Sequence, residues 1–211
     1  MGVDHSWLSL VAVTDEPGES DDGFVEDVMA AVRGGATCVQ LRGKRTGSGR
    51  MVELARAVVQ RVAVPVIVND RADVAIAGGA AGVHLGADDL TVERVRSFAP
   101  AGFIIGASVG NDEELGAARG ADYVGVGPVY TTGSKGDAGP AIGLAEMTRL
   151  IRASGCPGVG IGGIDARNAR AVIDAGAEGV AVLGAIFTTT DVEAAARAIR
   201  RALDTAPRQD G

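Results

Sequence analysis

A chain of 211 residues with a formal net charge of −7 suits one domain, and at that size it buries roughly 70% of its unfolded surface. The acidic balance argues against a nucleic-acid backbone or an anionic membrane as the main partner, while phosphate ligands need only a few local cations and N–H groups. Two cysteines, Cys38 and Cys156, are too few for a disulfide framework or a cysteine zinc site, and 32 glycines with 3% aromatics favour small core layers and tight turns.

From the N-terminus, short β-type runs alternate eight times with helical stretches. The predicted strands are Leu8–Val13, Cys38–Arg42, Val66–Asn69, Gly82–Leu85, Phe103–Ser108, Tyr123–Gly127, Gly158–Ile161 and Gly179–Leu183. The predicted helices are Phe24–Arg33, Met51–Val62, Thr91–Phe98, Asn111–Arg119, Leu144–Ala153, Ala166–Ala175 and Val192–Leu203, with a further one beginning near Ala72. The strands are mostly apolar on both faces, as parallel strands covered by helices are. Cys38 alternates within one of them and reads as a small core residue rather than a nucleophile. Asp165 and Asp191 precede helices in N-cap position.

A weak repeat adds to this pattern. Gly34-Gly35-Ala36, Gly78-Gly79-Ala80, Gly120-Ala121 and Gly176-Ala177 each end a helix just before a strand. Glycine supplies a left-handed stop, and alanine allows a close turn into a barrel bottom. Such stops at every second unit favour an α/β fold of the (β/α)8 TIM-barrel type over the alternative, a doubly wound open sheet. The barrel is expected over residues 1–204, with 205–211 as a disordered tail and no second domain. The N-terminus lacks the pattern of a signal peptide, and no apolar stretch approaches the ~18 residues of a membrane helix. A cytoplasmic protein is the expectation.

In a parallel barrel, chemistry sits on the loops after the strands, and the polar residues gather there. Gln40, Arg42 and Lys44 stand at i, i+2 and i+4, so an extended strand end points them one way. A planar guanidinium fork and a mobile ammonium suit a diphosphate. Asp70 and Asp89 follow adjacent strands and offer the carboxylate oxygens that Mg²⁺ takes beside substrate phosphates. Taken singly, each also reads as helix-capping or turn chemistry. His84 reads as a packed, hydrogen-bonded histidine. Ser108 closes its strand and can donate to a phosphate oxygen. The long loop 127–143, with Thr132, Ser134 and Lys135, suits a lid over phosphates. Gly160-Ile161-Gly162-Gly163, with Gly179–Ala185, matches a barrel phosphate site in which backbone N–H groups meet the anion.

Together the stretches QLRGK (40–44), VNDRAD (68–73), GVHLGADDL (82–90), ADYVGVGPVYTTGSK (121–135), GIGGI (160–164) and DAGAEGVAVLGAI (174–186) resemble the thiamine phosphate synthase family. The resemblance implies a transferase that couples hydroxymethylpyrimidine diphosphate to a thiazole phosphate, giving thiamine phosphate and diphosphate. It places pyrimidine-diphosphate contacts on Gln40, Arg42, Lys44, Asn69, Ser108 and Lys135, and magnesium ligands on Asp70 and Asp89. Thiazole-phosphate contacts fall on Thr132, Ser134, Gly163, Leu183 and Gly184. Arg42, Lys44 and Lys135, with Mg²⁺, are expected to neutralise charge on the departing diphosphate while the thiazole nitrogen captures the pyrimidine methylene cation. Positioning and electrostatics dominate such a step, and no general base is required.

Three positions depart from the family pattern. Gly43 stands where an acid is common, Ala87 where a glutamine is, and Gly184 where a serine is. The partners implied are small phosphorylated molecules, with neither nucleic acid nor membrane, and a homo-oligomer is left open. The nearest alternative is a thiazole tautomerase, which would lack the acid at Asp89 and carry a histidine where Pro128 stands. A non-catalytic thiamine-phosphate-binding barrel and another phosphate-handling barrel are the further alternatives.

Overall fold

The computed structural model describes residues 5–133 and 139–204. Eight strands pair in parallel, each with the next in sequence, and β8 closes back on β1. They are β1 (Leu10–Val13), β2 (Cys38–Leu41), β3 (Val66–Asn69), β4 (Gly82–Leu85), β5 (Ile104–Val109), β6 (Tyr123–Val126), β7 (Gly158–Ile161) and β8 (Gly179–Val182). The helices are α1 (Asp21–Arg33), α2 (Ser48–Val59), α3 (Ala72–Gly78), α4 (Val92–Arg96), α5 (Gly143–Ser154), α6 (Ala169–Asp174), α7 (Gly184–Phe187) and α8 (Val192–Asp204). The (β/α)8 barrel is therefore closed, and the open sheet is excluded. No helix among the described residues is long and apolar enough to cross a membrane.

Strand alternation sorts the side chains into two cores. Outward residues such as Leu10, Val39, Val68, Val83 and Val180 pack against the helices. Inward ones, among them Val11, Val13, Cys38, Ile67, Tyr123, Val159 and Ala181, fill the barrel. Trp7 meets Tyr123 edge-on at 5.4 Å, close to the N-terminal end of the strands. Tyr123 takes the room that Gly106 leaves free, since a Cβ there would stand 2.3 Å from the phenol ring. Burial pushes the Cys38 thiol well above its usual range, so it is a packed, inert group as its alternation implied.

Three of the four glycine stops form as expected, whereas Gly120 takes the left-handed conformation without a helix before it. Gly35, Gly79, Gly120 and Gly176 all take positive φ, between 72° and 107°. At three of them the following alanine N–H reaches back five residues, Ala36 to Ala31, Ala80 to Ala75 and Ala177 to Val172, the bond of a Schellman ending.

Several element ends shift by one to three residues, among them β2, which stops at Leu41, and α2, which starts at Ser48; other differences are local. Leu8 lies in a 3₁₀ turn (Ser6–Leu8) that precedes β1, and β5 starts one residue late and reaches Val109. The helix expected over Asn111–Arg119 is only a 3₁₀ turn, Asp112–Leu115. Asn111 accepts from the amides of Glu113 and Glu114, but three successive acids, then Gly116 and Gly120, leave too few favourable residues to propagate a helix whose nucleus is costly. Asp165 caps the turn that leads into α6 rather than the helix itself, which starts only at Ala169: its carbonyl accepts from Ala169 N–H at 2.9 Å. Its carboxylate accepts from the side chain and backbone N–H of Arg167, which hold its pKa down. Asp191 does cap, accepting from Ala194 N–H at 2.9 Å.

Candidate active site

The C-terminal mouth of the barrel brings the polar strand ends together. A pocket of about 280 Å³ is lined by Gly43 and Lys44 after β2, Asn69, Asp70 and Arg71 after β3, and Asp89 after β4, with Thr46, Ser48 and Met51 along one wall. The two aspartates thus share one cavity with an ammonium, as their places after adjacent strands implied.

Neither aspartate stands at the N-cap of the helix that follows it. The backbone turns at Asp70 with φ of +64°, the only non-glycine with positive φ among the described residues. Arg71 N–H donates to the Asn69 carbonyl at 2.7 Å, closing a tight turn around Asp70, and Asp70 N–H donates to the His84 carbonyl at 2.7 Å. A left-handed residue with a side chain costs about 1–2 kcal/mol, least for Asn and Asp, and such strain gathers at functional positions. Arg71, not Asp70, stands at the N-cap of α3. Thr91 caps α4, while one Asp89 oxygen accepts from Gly86 N–H at 2.6 Å.

Inside the mouth, Gln40 Nε2 donates to Asn69 Oδ1 at 2.6 Å, which ties two predicted contacts together below the pocket. His84 is bonded on both sides, to the Tyr123 hydroxyl and to Ser108 Oγ, each at 3.0 Å. Gly125 leaves room for this ring, since a Cβ there would come within 3.0 Å of it. Burial also raises the Tyr123 phenol, so it stays protonated. Sequence reading did not single out Tyr123, although a lone tyrosine in a barrel strand facing glycines was a usable signal.

Arg42 directly follows β2 with its side chain only 12% exposed, and it is not among the residues that line the pocket. Its Nε is buried without a hydrogen-bond partner, while Nη1 stands 3.6 Å from Asp15 Oδ1. The loop after Arg42 is braced from β1's exit, at Arg45 and Thr46. Glu16 accepts from Arg45 N–H at 3.0 Å and from the Thr46 hydroxyl at 2.6 Å. Burial pushes the Glu16 carboxyl up, but these hydrogen bonds outweigh it and hold the group below its ordinary value.

The opposite rim is made of backbone. Val129 and Tyr130 N–H donate to the carbonyls of Ile161 and Gly162, at 2.8 and 3.0 Å, fastening the start of the long loop to the end of β7. Gly162 and Gly163 follow with φ of +97° and +67°, and their amides donate to none of the described residues. Asn168, unremarked in the sequence, fixes this turn by accepting from Asp165 N–H and donating to the Gly163 carbonyl, both at 2.9 Å. Leu183 leads into the single turn of α7 that Gly184 begins. Successive amides in left-handed or turn conformation form an anion-binding concavity. Thr132 is half-buried on this side. Ser134 and Lys135, and the tail 205–211, lie outside the described residues.

This arrangement has close counterparts. The model of the family described as thiamine monophosphate synthase matches residues 10–186. A thiamine-phosphate synthase of Azorhizobium caulinodans is 45% identical over 95% of this chain and 97% of its own length. One from Methanoculleus marisnigri is 47% identical over 90% and 93%. The solved thiamine phosphate pyrophosphorylase of Pyrococcus furiosus superposes with a TM-score of 0.84 at 37% identity, covering 94% of this chain and 96% of that one. With its sequence matched nearly end to end and its barrel superposed on that of a relative, the chain belongs to the thiamine monophosphate synthase family.

Proposed function

We propose that this mouth joins a hydroxymethylpyrimidine diphosphate to a thiazole phosphate, releasing diphosphate and forming thiamine phosphate. The observation that carries the reading is the convergence of Lys44, Asn69, Asp70 and Asp89 on one pocket, across from the amides of Gly162 and Gly163, which donate to none of the described residues. The first group suits a metal-bound diphosphate and the second a phosphate monoester, so the two substrates have separate anchors with their reacting atoms between them.

The donor set fits Mg²⁺. Two carboxylates meet in the pocket, and no group of three or more potential ligands exists among the described residues. A hard cation that keeps waters and takes substrate oxygens needs no more than that. When bound, it supplies positive charge to the diphosphate oxygens. Asp70 and Asp89 would hold it, with the Asp89 oxygen not engaged by Gly86 turned to this use. Arg42 brings a buried Nε without an acceptor, whose desolvation cost is already spent before a diphosphate oxygen arrives. Lys44, and Lys135 from the loop, add charge where the leaving group develops it. Gln40, Asn69 and Ser108 orient the pyrimidine half, while Thr132, Ser134, Gly163, Leu183 and Gly184 hold the thiazole phosphate. Loop 127–143 would close over both.

The test is incubation of the purified protein with both substrates and Mg²⁺, following thiamine phosphate and diphosphate, with an EDTA control. Equal amounts of both products, lost on chelation and restored by Mg²⁺, are expected. Binding of either substrate without turnover would overturn the assignment in favour of a silent binder. Isomerisation of the thiazole alone would favour a tautomerase.

A further inference from the structure

Arg42 poses a mechanical problem. A guanidinium on a long side chain carries much rotamer freedom, and among the described residues Arg42 is packed (12% exposed) with only one loose ion pair at its far end. Its Nε has no partner, and the nearest carboxylate, Asp15, is 3.6 Å away on a side chain 55% exposed. Its aim must therefore be set from its own backbone, just where β2 has ended.

Thr14 does this. It directly follows β1 and is only 1% exposed. Its N–H donates to the Gln40 carbonyl at 2.9 Å, the last rung of the β1–β2 ladder. Its Oγ1 then accepts from Arg42 N–H at 2.9 Å, with the Arg42 carbonyl 3.4 Å from the same oxygen. A side-chain hydroxyl thus continues the ladder by one rung, and it does so at the residue whose side chain must enter the mouth. We propose that Thr14 is a positioning residue that fixes the backbone of Arg42 and thereby aims its guanidinium at the diphosphate. The proposal rests on the reading that Arg42 binds that diphosphate.

Thr14→Val keeps the volume and removes the acceptor, Thr14→Ser keeps the acceptor, and Thr14→Cys weakens it. The KM for each substrate, kcat and thermal melting are to be measured for these three variants, for Arg42→Ala, and for Thr14→Val combined with Arg42→Ala. Thr14→Val should raise KM for the pyrimidine diphosphate about tenfold, and Thr14→Cys about threefold, as loss of one aimed charged contact implies. KM for the thiazole phosphate should stay within about twofold, and Thr14→Ser should restore both values. In the Arg42→Ala background, Thr14→Val should still lower the melting point yet add almost nothing to KM, because the side chain it aims is gone. A merely structural threonine would lower melting and kcat without separating the two KM values.

Equal rises in both KM values, or a Thr14→Val effect that persists undiminished in the Arg42→Ala background, would overturn the proposal alone. An unchanged pyrimidine-diphosphate KM in Arg42→Ala would overturn the underlying reading of Arg42, and the proposal with it. Should Thr14→Val not fold, Thr14→Cys against Thr14→Ser decides the same question.

Discussion

On the proposed reading, the two rims of the barrel mouth would hold their anions by different means, the first through cationic side chains and a carboxylate-held metal, the second through backbone amides. On the β2–β4 side the groups are charged side chains: Arg42, Lys44, Asp70 and Asp89. On the β6–β8 side they are peptide amides presented by glycines. Both rims use left-handed backbone, yet only the first accepts the cost of a side chain there, at Asp70. The difference teaches what each rim can afford to vary. A charge can be removed by one substitution that leaves the shape alone, whereas a backbone cradle is sensitive to any added atom. Charge-removing changes should therefore tell on the first rim, and added methyl groups on the second.

The largest effect should come from the aspartates. Asp70→Asn and Asp89→Asn keep the shape, the tolerance of left-handed backbone and, at position 89, an oxygen for Gly86 N–H. Each should lower kcat/KM by about 10²–10³-fold, the scale of losing one electrostatic element of a transition state, with melting little changed. Steady-state kinetics and a melting curve decide it; near-normal rates in both variants would erase the distinction between the rims.

Gly163→Ala tests the other side. Its Cβ would stand 2.6 Å from the Thr131 carbonyl and 2.8 Å from Tyr130 Cβ, at a φ of +67°. Gly79→Ala is the control, with φ of +72° and open space around it at the opposite end of the barrel. Both should lose about 1–2 kcal/mol of stability from the left-handed alanine, and Gly163→Ala more than that, because its Cβ overlaps the Thr131 carbonyl. Only Gly163→Ala should also raise the thiazole-phosphate KM, by about tenfold, because it displaces the turn that presents the amides. An effect on the pyrimidine-diphosphate KM instead would reverse the assignment of the rims.

These contrasts also show what a sequence makes visible. The barrel was legible because parallel strands buried on both faces leave short apolar runs, and because Gly35, Gly79, Gly120 and Gly176 punctuate every second unit. The carboxylates and Lys44 were legible as polar residues directly after such runs. Thr14 meets the same criterion, following Leu10–Val13, but a threonine reads equally as one more strand residue, and its work depends on a partner 28 positions away. Asn168 was hidden likewise, since its two bonds close a turn whose left-handed glycines give no sign of what fixes them. The region after Asn111 misled because alanines and acids suit a helix in composition, while glycines at 116 and 120 deny it length.

Gly43 offers the smallest and sharpest test of the charged rim. The sequence resemblance leads one to expect an acid here, and the packing around Gly43 disfavours one. A Cβ at Gly43 would lie 2.5 Å from Met51 Sδ and 3.3 Å from Thr46 Cβ, and Met51 is 4% exposed beneath the loop. The obstacle is the far end of a flexible thioether, and no left-handed φ adds to it. Gly43→Asp should therefore cost only about 0.5–1.5 kcal/mol, the scale of one displaced rotamer, lowering melting by about 1–6 °C for a chain of this size. If crowding is the whole cause, Gly43→Asp placed on Met51→Val should cost almost nothing more than Met51→Val alone, a coupling that a double-mutant cycle reads directly. If the penalty survives in that background, repulsion or lost loop geometry is responsible. The glycine would then belong to the electrostatics of the Arg42–Lys44 rim rather than to its packing.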